Sequence, residues 1–250
     1  MLSQMITVLT TTCIFRPIKA MGGLGVLLFL IGCSSTTAEK ILSKAKDAHG
    51  GSRYQKLKQI DYEKISWRLS EQGDTLSTQM EKHQIDFEKG ASRIFWIEDS
   101  VQWQAQKKQH QTILLKDGVA VVDSALLAKT SRKLDAAQFV FWQPFRLLDS
   151  NPQLRYQGIQ TLFNGWEVHH LVFSYPGQTD RWSFFFDKKN YRLKATGVFF
   201  KNRYSLITNE KQEAETGLWL HQERTSYFTD SLFVPNRKGS LYAYKLETIR

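Results

Sequence analysis

Few residues in this chain could do chemistry. His169 and His170 stand side by side, Cys13 and Cys33 are the two cysteines, and carboxylates are scattered along the length. Adjacent histidines in an extended segment point to opposite faces of a sheet, so this pair cannot ligate one metal together. A metal would need distant His49, His83, His110 or His221 to converge, and nothing in their spacing predicts that. There is no Gly-x-Ser-x-Gly elbow, no His-Glu-x-x-His helix and no phosphate-binding glycine loop. Many acids adjoin bases, as in Glu81-Lys82, Glu88-Lys89 and Asp187-Lys188, the pattern of a solvated charged face. Two cysteines exclude a disulfide-rich scaffold and a cysteine-based zinc site. The expectation is a protein that is not an enzyme and uses no metal.

Cys33 has a context of its own. Residues 1–32 contain no acid and only two bases, Arg16 and Lys19, ahead of the apolar run Ala20 to Ile31. A membrane-spanning helix needs about 20 apolar residues, so this shorter, glycine-rich run reads as a secretory signal. It ends in Leu30-Ile31-Gly32-Cys33, followed by Ser34-Ser35-Thr36-Thr37. That segment resembles the lipobox of bacterial lipoprotein precursors. The resemblance implies cleavage before Cys33, a diacylglyceryl thioether on its sulfur and an acyl chain on its new amino group. Several chains at about 0.8 kcal/mol per buried methylene hold a protein firmly on a membrane. Ser34, rather than an aspartate, after the cysteine implies sorting to the outer membrane in a Gram-negative host. Cys13 leaves with the leader, whether translation begins at Met1 or Met5.

The organisation expected is a signal peptide over 1–32, a polar tether over 33–38 and one domain over 39–250. The whole chain has 34 Lys+Arg and 24 Asp+Glu. Loss of Arg16 and Lys19 leaves a net charge of +8. No basic run exceeds pairs such as Lys107-Lys108 and Lys188-Lys189, and an exported, tethered chain does not meet nucleic acid. Anionic lipid headgroups are the more natural counterpart.

Glu39 to His49 carries apolar residues at 41, 42, 45 and 48, one face of a helix that Gly50-Gly51 stops. Tyr54 and Leu57 extend it before the period changes to two at Ile60. Strands are expected from Ile60, then over Ser77–Phe87, Ser92–Glu98, Val101–Gln106, Gln111–Leu115 and Val119–Val122. Leu134–Leu148 is too apolar and too long for a strand, and predicts a buried helix interrupted at Pro144. Strands follow over Leu154–Phe163, Trp166–Tyr175, Asp180–Phe186, Tyr191–Phe200, Tyr204–Asn209, Gly217–Tyr227 and Ser240–Thr248. Asn164-Gly165 and Pro176-Gly177 turn the first two hairpins. Connections this short predict an antiparallel meander and an α+β fold.

Ala48-His49-Gly50-Gly51 between helix and strand, behind a lipobox, is similar to the LolA/LolB-like lipoprotein-sorting superfamily. Asn164-Gly165-Trp166-Glu167-Val168, Trp182–Phe186, Asp187-Lys188-Lys189 and Tyr191-Arg192-Leu193 add to the likeness, which is greatest to its uncharacterised lipoprotein families. The resemblance implies a single large curved antiparallel sheet, an unclosed half-barrel, with an N-terminal and a mid-chain helix on its concave face. It also implies an apolar cavity there; LolA-like members hold lipoprotein acyl chains in theirs.

Phe139, Phe141, Trp142 and Phe145 on the mid-chain segment, with Trp182, Phe184 and Phe186 on one face of their strand, are the candidate lining of that cavity. Two functions follow. The chain is a lipid-anchored envelope lipoprotein holding a lipid or the acyl chains of a lipoprotein, or it is a non-enzymatic scaffold whose cavity its own side chains fill.

Overall fold

The computed structural model describes residues 37–109, 111–148, 151–177 and 179–250. Cys33, the leader, most of the tether and His110 lie outside the described residues. Thirteen strands form one antiparallel sheet. The strands of its first half are β1 (Gln59–Leu69), β2 (Thr75–Asp86), β3 (Ala91–Glu98), β4 (Val101–Lys108), β5 (Gln111–Lys116) and β6 (Val119–Ala120). Its second half holds β7 (Gln153–Thr161), β8 (Glu167–Ser174), β9 (Arg181–Asp187), β10 (Leu193–Phe200), β11 (Arg203–Gln212), β12 (His221–Thr229) and β13 (Pro235–Ile249). The helices are α1 (Thr37–Ala48), α2 (Ser52–Gln55) and α3 (Ser124–Phe141).

Strand order is β6-β5-β4-β3-β2-β1-β13-β12-β11-β10-β9-β8-β7. The chain therefore starts at the centre of the sheet and walks by hairpins to one edge. It then crosses through α3 to the other edge and walks back, until the last strand pairs with the first. Ile65 lies opposite Ala243 in that central pairing, and Trp67 opposite Leu241. The sheet is unclosed, the curved half-barrel that the sequence predicted. Both edges are kept short or irregular, as exposed strand edges must be. β6 has two residues, and β7 carries a bulge between Tyr156 and Gly158.

Two helices cover different parts of the concave face. α1 sets Ala38, Ile41, Leu42 and Ala45 on Leu171, Phe173, Phe184, Phe186 and Leu193 of β8 to β10. α3 sets Leu134, with Leu126, Leu127 and Ala137, on Ile94, Ala105 and Leu114 of β3 to β5. Between them the chain leaves α3 at Phe141 and turns through 142–148, and Phe141 and Trp142 pack on Ile60, Tyr62 and Ile85. The convex side has one small core of its own. Phe233, in the loop before β13, presses its ring onto the backbone of Gly197, and Phe185 lies in the same cluster.

Several boundaries differ from the expectation: the last strand starts at Pro235 rather than Ser240, and three other shifts have a local reason. The mid-chain helix spans 124–141 rather than 134–148. Its start is capped by Asp123, whose carboxylate accepts the Leu126 N–H at 2.7 Å, and Leu126, Thr130, Leu134 and Phe141 then keep helical spacing. Pro144 cannot continue the ladder, so the aromatic stretch after Phe141 is turn rather than helix. The strand expected from Gly217 begins at His221, because the Glu213 side chain accepts N–H bonds from Thr216 and Leu220 and staples 213–220 into a loop.

The Ala48-His49-Gly50-Gly51 signature has a physical role. His49 is buried; its Nδ1–H donates to the Ala45 carbonyl at 2.7 Å and its Nε2 accepts the Leu193 N–H at 3.3 Å, fastening α1 to β10. Gly50 has φ +99°, and a Cβ there would stand 2.5 Å from the Gly217 carbonyl oxygen. Gly50→Ala is expected to cost about 2–3 kcal/mol in denaturant unfolding, from left-handed strain plus the contact. Gly90→Ala, with φ +57° and open space around it, should lose no more than about 1 kcal/mol.

Candidate functional site

Where the two halves of the sheet meet, the concave face is not fully packed. A cavity of about 270 Å³ lies between α3 and the central strands. Ala136, Ala137 and Val140 of α3 roof it; Tyr62, Ile207, Tyr242 and Tyr244 of β1, β11 and β13 form its floor. Small residues on the helix are what leave the space. These three strands supply aromatic and aliphatic walls because inward positions alternate with outward ones.

Charged residues line the same cavity. Glu81 on β2 is 3% exposed, yet it is ionised, because three groups converge on its carboxylate. Lys133 Nζ from α3 lies 2.7 Å from Oε1, and Lys64 Nζ from β1 lies 3.2 Å from Oε2. His83 Nε2 donates to Oε2 at 3.2 Å. Burial opposes the charged carboxylate, but the His83 hydrogen bond and the two ammonium groups outweigh it, and hold Glu81 well below the usual carboxylate range. Burial likewise works against the Lys64 ammonium, and the Glu81 charge outweighs it, so the Lys64 pKa lies above that of an ordinary lysine. Desolvation pushes the His83 imidazole down despite Glu81, leaving it neutral at pH 7.

The fourth charged wall is Arg224 on β12, paired across the sheet with Asn209 and Tyr242. Its side chain is 3% exposed, and its Nε finds no hydrogen-bond partner among the described residues. No carboxylate lies within ion-pair distance of it there. The cavity thus holds two ammonium groups, one guanidinium and a single carboxylate: an apolar chamber with a surplus of positive charge.

The seven aromatics singled out in the sequence lie around this chamber rather than along it. Phe141 stacks face to face on Tyr62 with ring centroids 4.0 Å apart, so it backs the wall that Tyr62 forms. Trp142 meets Phe141 edge-on, and Phe145 stacks on Tyr54 at 4.3 Å. Phe184 and Phe186 are buried under α1, and Trp182 and Phe139 pack against that same cluster, in edge contact at 5.7 Å. The structure therefore splits the seven between two packed groups, one beside the cavity and one under α1. His169 and His170 point to opposite faces, the first bonded to the Tyr156 hydroxyl at 3.0 Å and the second to Ser183 Oγ at 2.9 Å. Among the described residues no group of three His, Cys, Asp or Glu side chains could hold a metal.

Lys64, Glu81, Lys133 and Arg224 escaped the sequence reading, which took its acids and bases as a solvated face. A signal was present: Glu81, His83 and Ile85 alternate within one strand, so two polar residues shared the face of a core isoleucine.

A larger hollow of about 450 Å³ lies around Met80, Phe95, Ile97 and Leu115 on β2 to β5, and Met80 and Ile97 are 50% and 65% exposed. It has a single wall, the sheet, so an occupant there keeps one side in water. No helix of the described residues is long and apolar enough to cross a membrane.

The fold is that of the LolA/LolB-like domain. A LolA superfamily protein from Nitrosomonas europaea superposes at TM-score 0.54 and 8% identity, over 86% of this chain and 94% of that one. A DUF1329 family protein from Desulfovibrio piger aligns at TM-score 0.49 and 12% identity, over 86% and 93%. The lipoprotein LppX of Mycobacterium tuberculosis aligns at TM-score 0.26 and 7% identity, over 83% and 94%. The last two likenesses are too remote to bear on the site, and the first is one of fold alone. No protein-family model and no curated protein matches the chain in sequence.

Stability should follow the buried ionisable groups. Burial lowers His49 and His170 to about 4, and lowers His83 and His221 as well. An unfolded imidazole titrates near 6.5, so the folded state binds these protons later; their contribution is complete above pH 6.5 and is lost as pH falls toward 4. For His49 alone the loss approaches about 3 kcal/mol. Thermal midpoints measured from pH 7 to pH 4 should fall steadily, and a flat profile would contradict the neutral buried histidines. At pH 7, Glu81→Gln should cost about 3 kcal/mol, because it leaves Lys64 and Lys133 facing each other unneutralised.

Proposed function

We infer that this chain is a lipid-anchored envelope lipoprotein that holds a hydrophobic ligand, a lipid or the acyl chains of a lipoprotein, on its concave face. The observation carrying this reading is the chamber under α3: sheet and helix wall it on two sides, and Tyr62, Val140, Ile207 and Tyr242 give it an apolar surface. An occupant of this chamber meets both sheet and helix, whereas the convex hollow offers it the sheet alone. Its volume suits part of an acyl chain. A longer ligand displaces Phe139 and Phe141, which α3 itself carries, so lifting that helix enlarges the site toward Trp142, Phe145, Trp182, Phe184 and Phe186. The protein acts by binding rather than catalysis. Cys33 carries the acyl anchor, the membrane is its first partner, and Ser34 after the cysteine favours the outer membrane.

A second reading has its own support. The seven aromatics are packed against one another, as in a scaffold whose interior its own side chains fill, with partners on the convex patch around Met80 and Ile97.

Native mass spectrometry of the full chain carrying Cys33→Ala, followed by lipid extraction, separates the two. Co-purified lipid and saturable uptake of a fluorescent fatty acid are expected. A lipid-free protein that takes up none would leave the scaffold reading. For the anchor, the unsubstituted chain should incorporate radiolabelled palmitate and Cys33→Ala should not; equal labelling would refute attachment at Cys33.

A further inference from the structure

We propose that the chamber under α3 recognises an amphiphile with an anionic headgroup, a phosphate or carboxylate on a hydrocarbon chain, and that Arg224 receives that anion. The proposal rests on the hydrophobic-ligand reading above and adds to it the chemistry of the ligand's polar end.

A guanidinium has five N–H donors and stays charged at any pH the protein meets. Burying one without a partner is costly, so a buried arginine is ordinarily paired with a carboxylate. Arg224 is buried, its Nε is unpartnered, and no acid within the described residues pairs with it. The nearby acid is already engaged: Glu81 is held by Lys64, Lys133 and His83. Its one negative charge cannot neutralise three cations. An incoming anion restores the balance and supplies an acceptor for the Arg224 Nε, which lacks one among the described residues.

Geometry fixes the orientation. Arg224 lies on the chamber floor beside Tyr242, while the apolar roof of Ala136, Ala137 and Val140 faces it from α3. A headgroup on Arg224 therefore leaves its chain to run along α3, where Phe141 stacks on Tyr62. Charge and apolar surface side by side in one chamber suit a molecule that carries both. A free inorganic anion would use the first and not the second.

The test uses the full chain carrying Cys33→Ala and three probes: dodecyl phosphate, dodecanol and inorganic phosphate, each followed by isothermal calorimetry. Dodecyl phosphate is expected to bind at least about tenfold more tightly than dodecanol, since hydrogen bonds to a charged group carry that much discrimination. Arg224→Met should remove this preference, weakening dodecyl phosphate far more than dodecanol. It should also raise the melting temperature of the free protein, because it deletes an unpaired buried charge, an outcome no purely structural arginine would give. Arg224→Lys should restore part of the preference. Equal binding of the two twelve-carbon probes, or an intact preference in Arg224→Met, overturns the anion site while keeping a hydrophobic ligand. Inorganic phosphate competing as well as dodecyl phosphate overturns the amphiphile. Failure of every probe to bind sinks the hydrophobic-ligand reading itself.

Discussion

Everything in this fold depends on one pairing, that of the first strand with the last. β1 and β13 join in the middle of the sheet, so each half of the meander ends at an open edge and one connection must bridge those edges. That connection is α3 with the turns after it. Because it must also bury the concave face, its apolar positions are spent on β3 to β5 at one end and on β1 and β2 at the other. Over the seam between the halves Ala137 and Val140 are the apolar residues α3 turns to the gap, with Ala136 at its exposed rim and Lys133 beside them, and there the packing opens into a chamber. The cavity is thus a consequence of topology: a crossing helix cannot fill the whole width of a curved sheet.

The same constraint explains why charge is found inside. Lys133 enters from the helix while Lys64, Glu81 and Arg224 enter from strands on both sides of the seam. Lys133 also lies 3.9 Å over the Trp96 ring, which helps hold α3 on the sheet. Three of these groups satisfy one another, and the arrangement resembles a latch between helix and sheet. The fourth does not share in it. A core built only for stability would pair Arg224 or replace it with an apolar residue; an unpaired guanidinium is more easily understood as half of an interaction whose other half is a ligand.

Much of the architecture was legible in the residues. Alternation in Trp166–Tyr175 and Trp182–Phe186, with Asn164-Gly165 between hairpin arms, is a local signal, and the strands formed where it lay. The Gly50 turn was visible for the same reason: only glycine suits φ +99° under a carbonyl. The early start of α3 was missed because Ser124–Arg132 is weakly apolar and its strongest cue, the Asp123 cap, is one side chain. The site was hidden for a deeper reason. Lys64, Glu81 and Lys133 are far apart in sequence, and a charge looks solvated until the pairing that buries it is known. Aromatic residues drew attention as ligand lining, yet large rings also fill space best, and these pack on one another beside the chamber.

The position of a bound hydrophobic molecule is the decisive property of this protein. A photoactivatable fatty acid, crosslinked to the protein and mapped by peptide mass spectrometry, addresses this directly. Labels concentrated on Tyr62, Val140, Ile207 and Tyr242 are predicted, the residues that sheet and α3 bring together around the chamber. Labels concentrated instead on Met80, Phe95, Ile97 and Leu115 would place the molecule on the other face of the sheet and contradict a site beneath the helix.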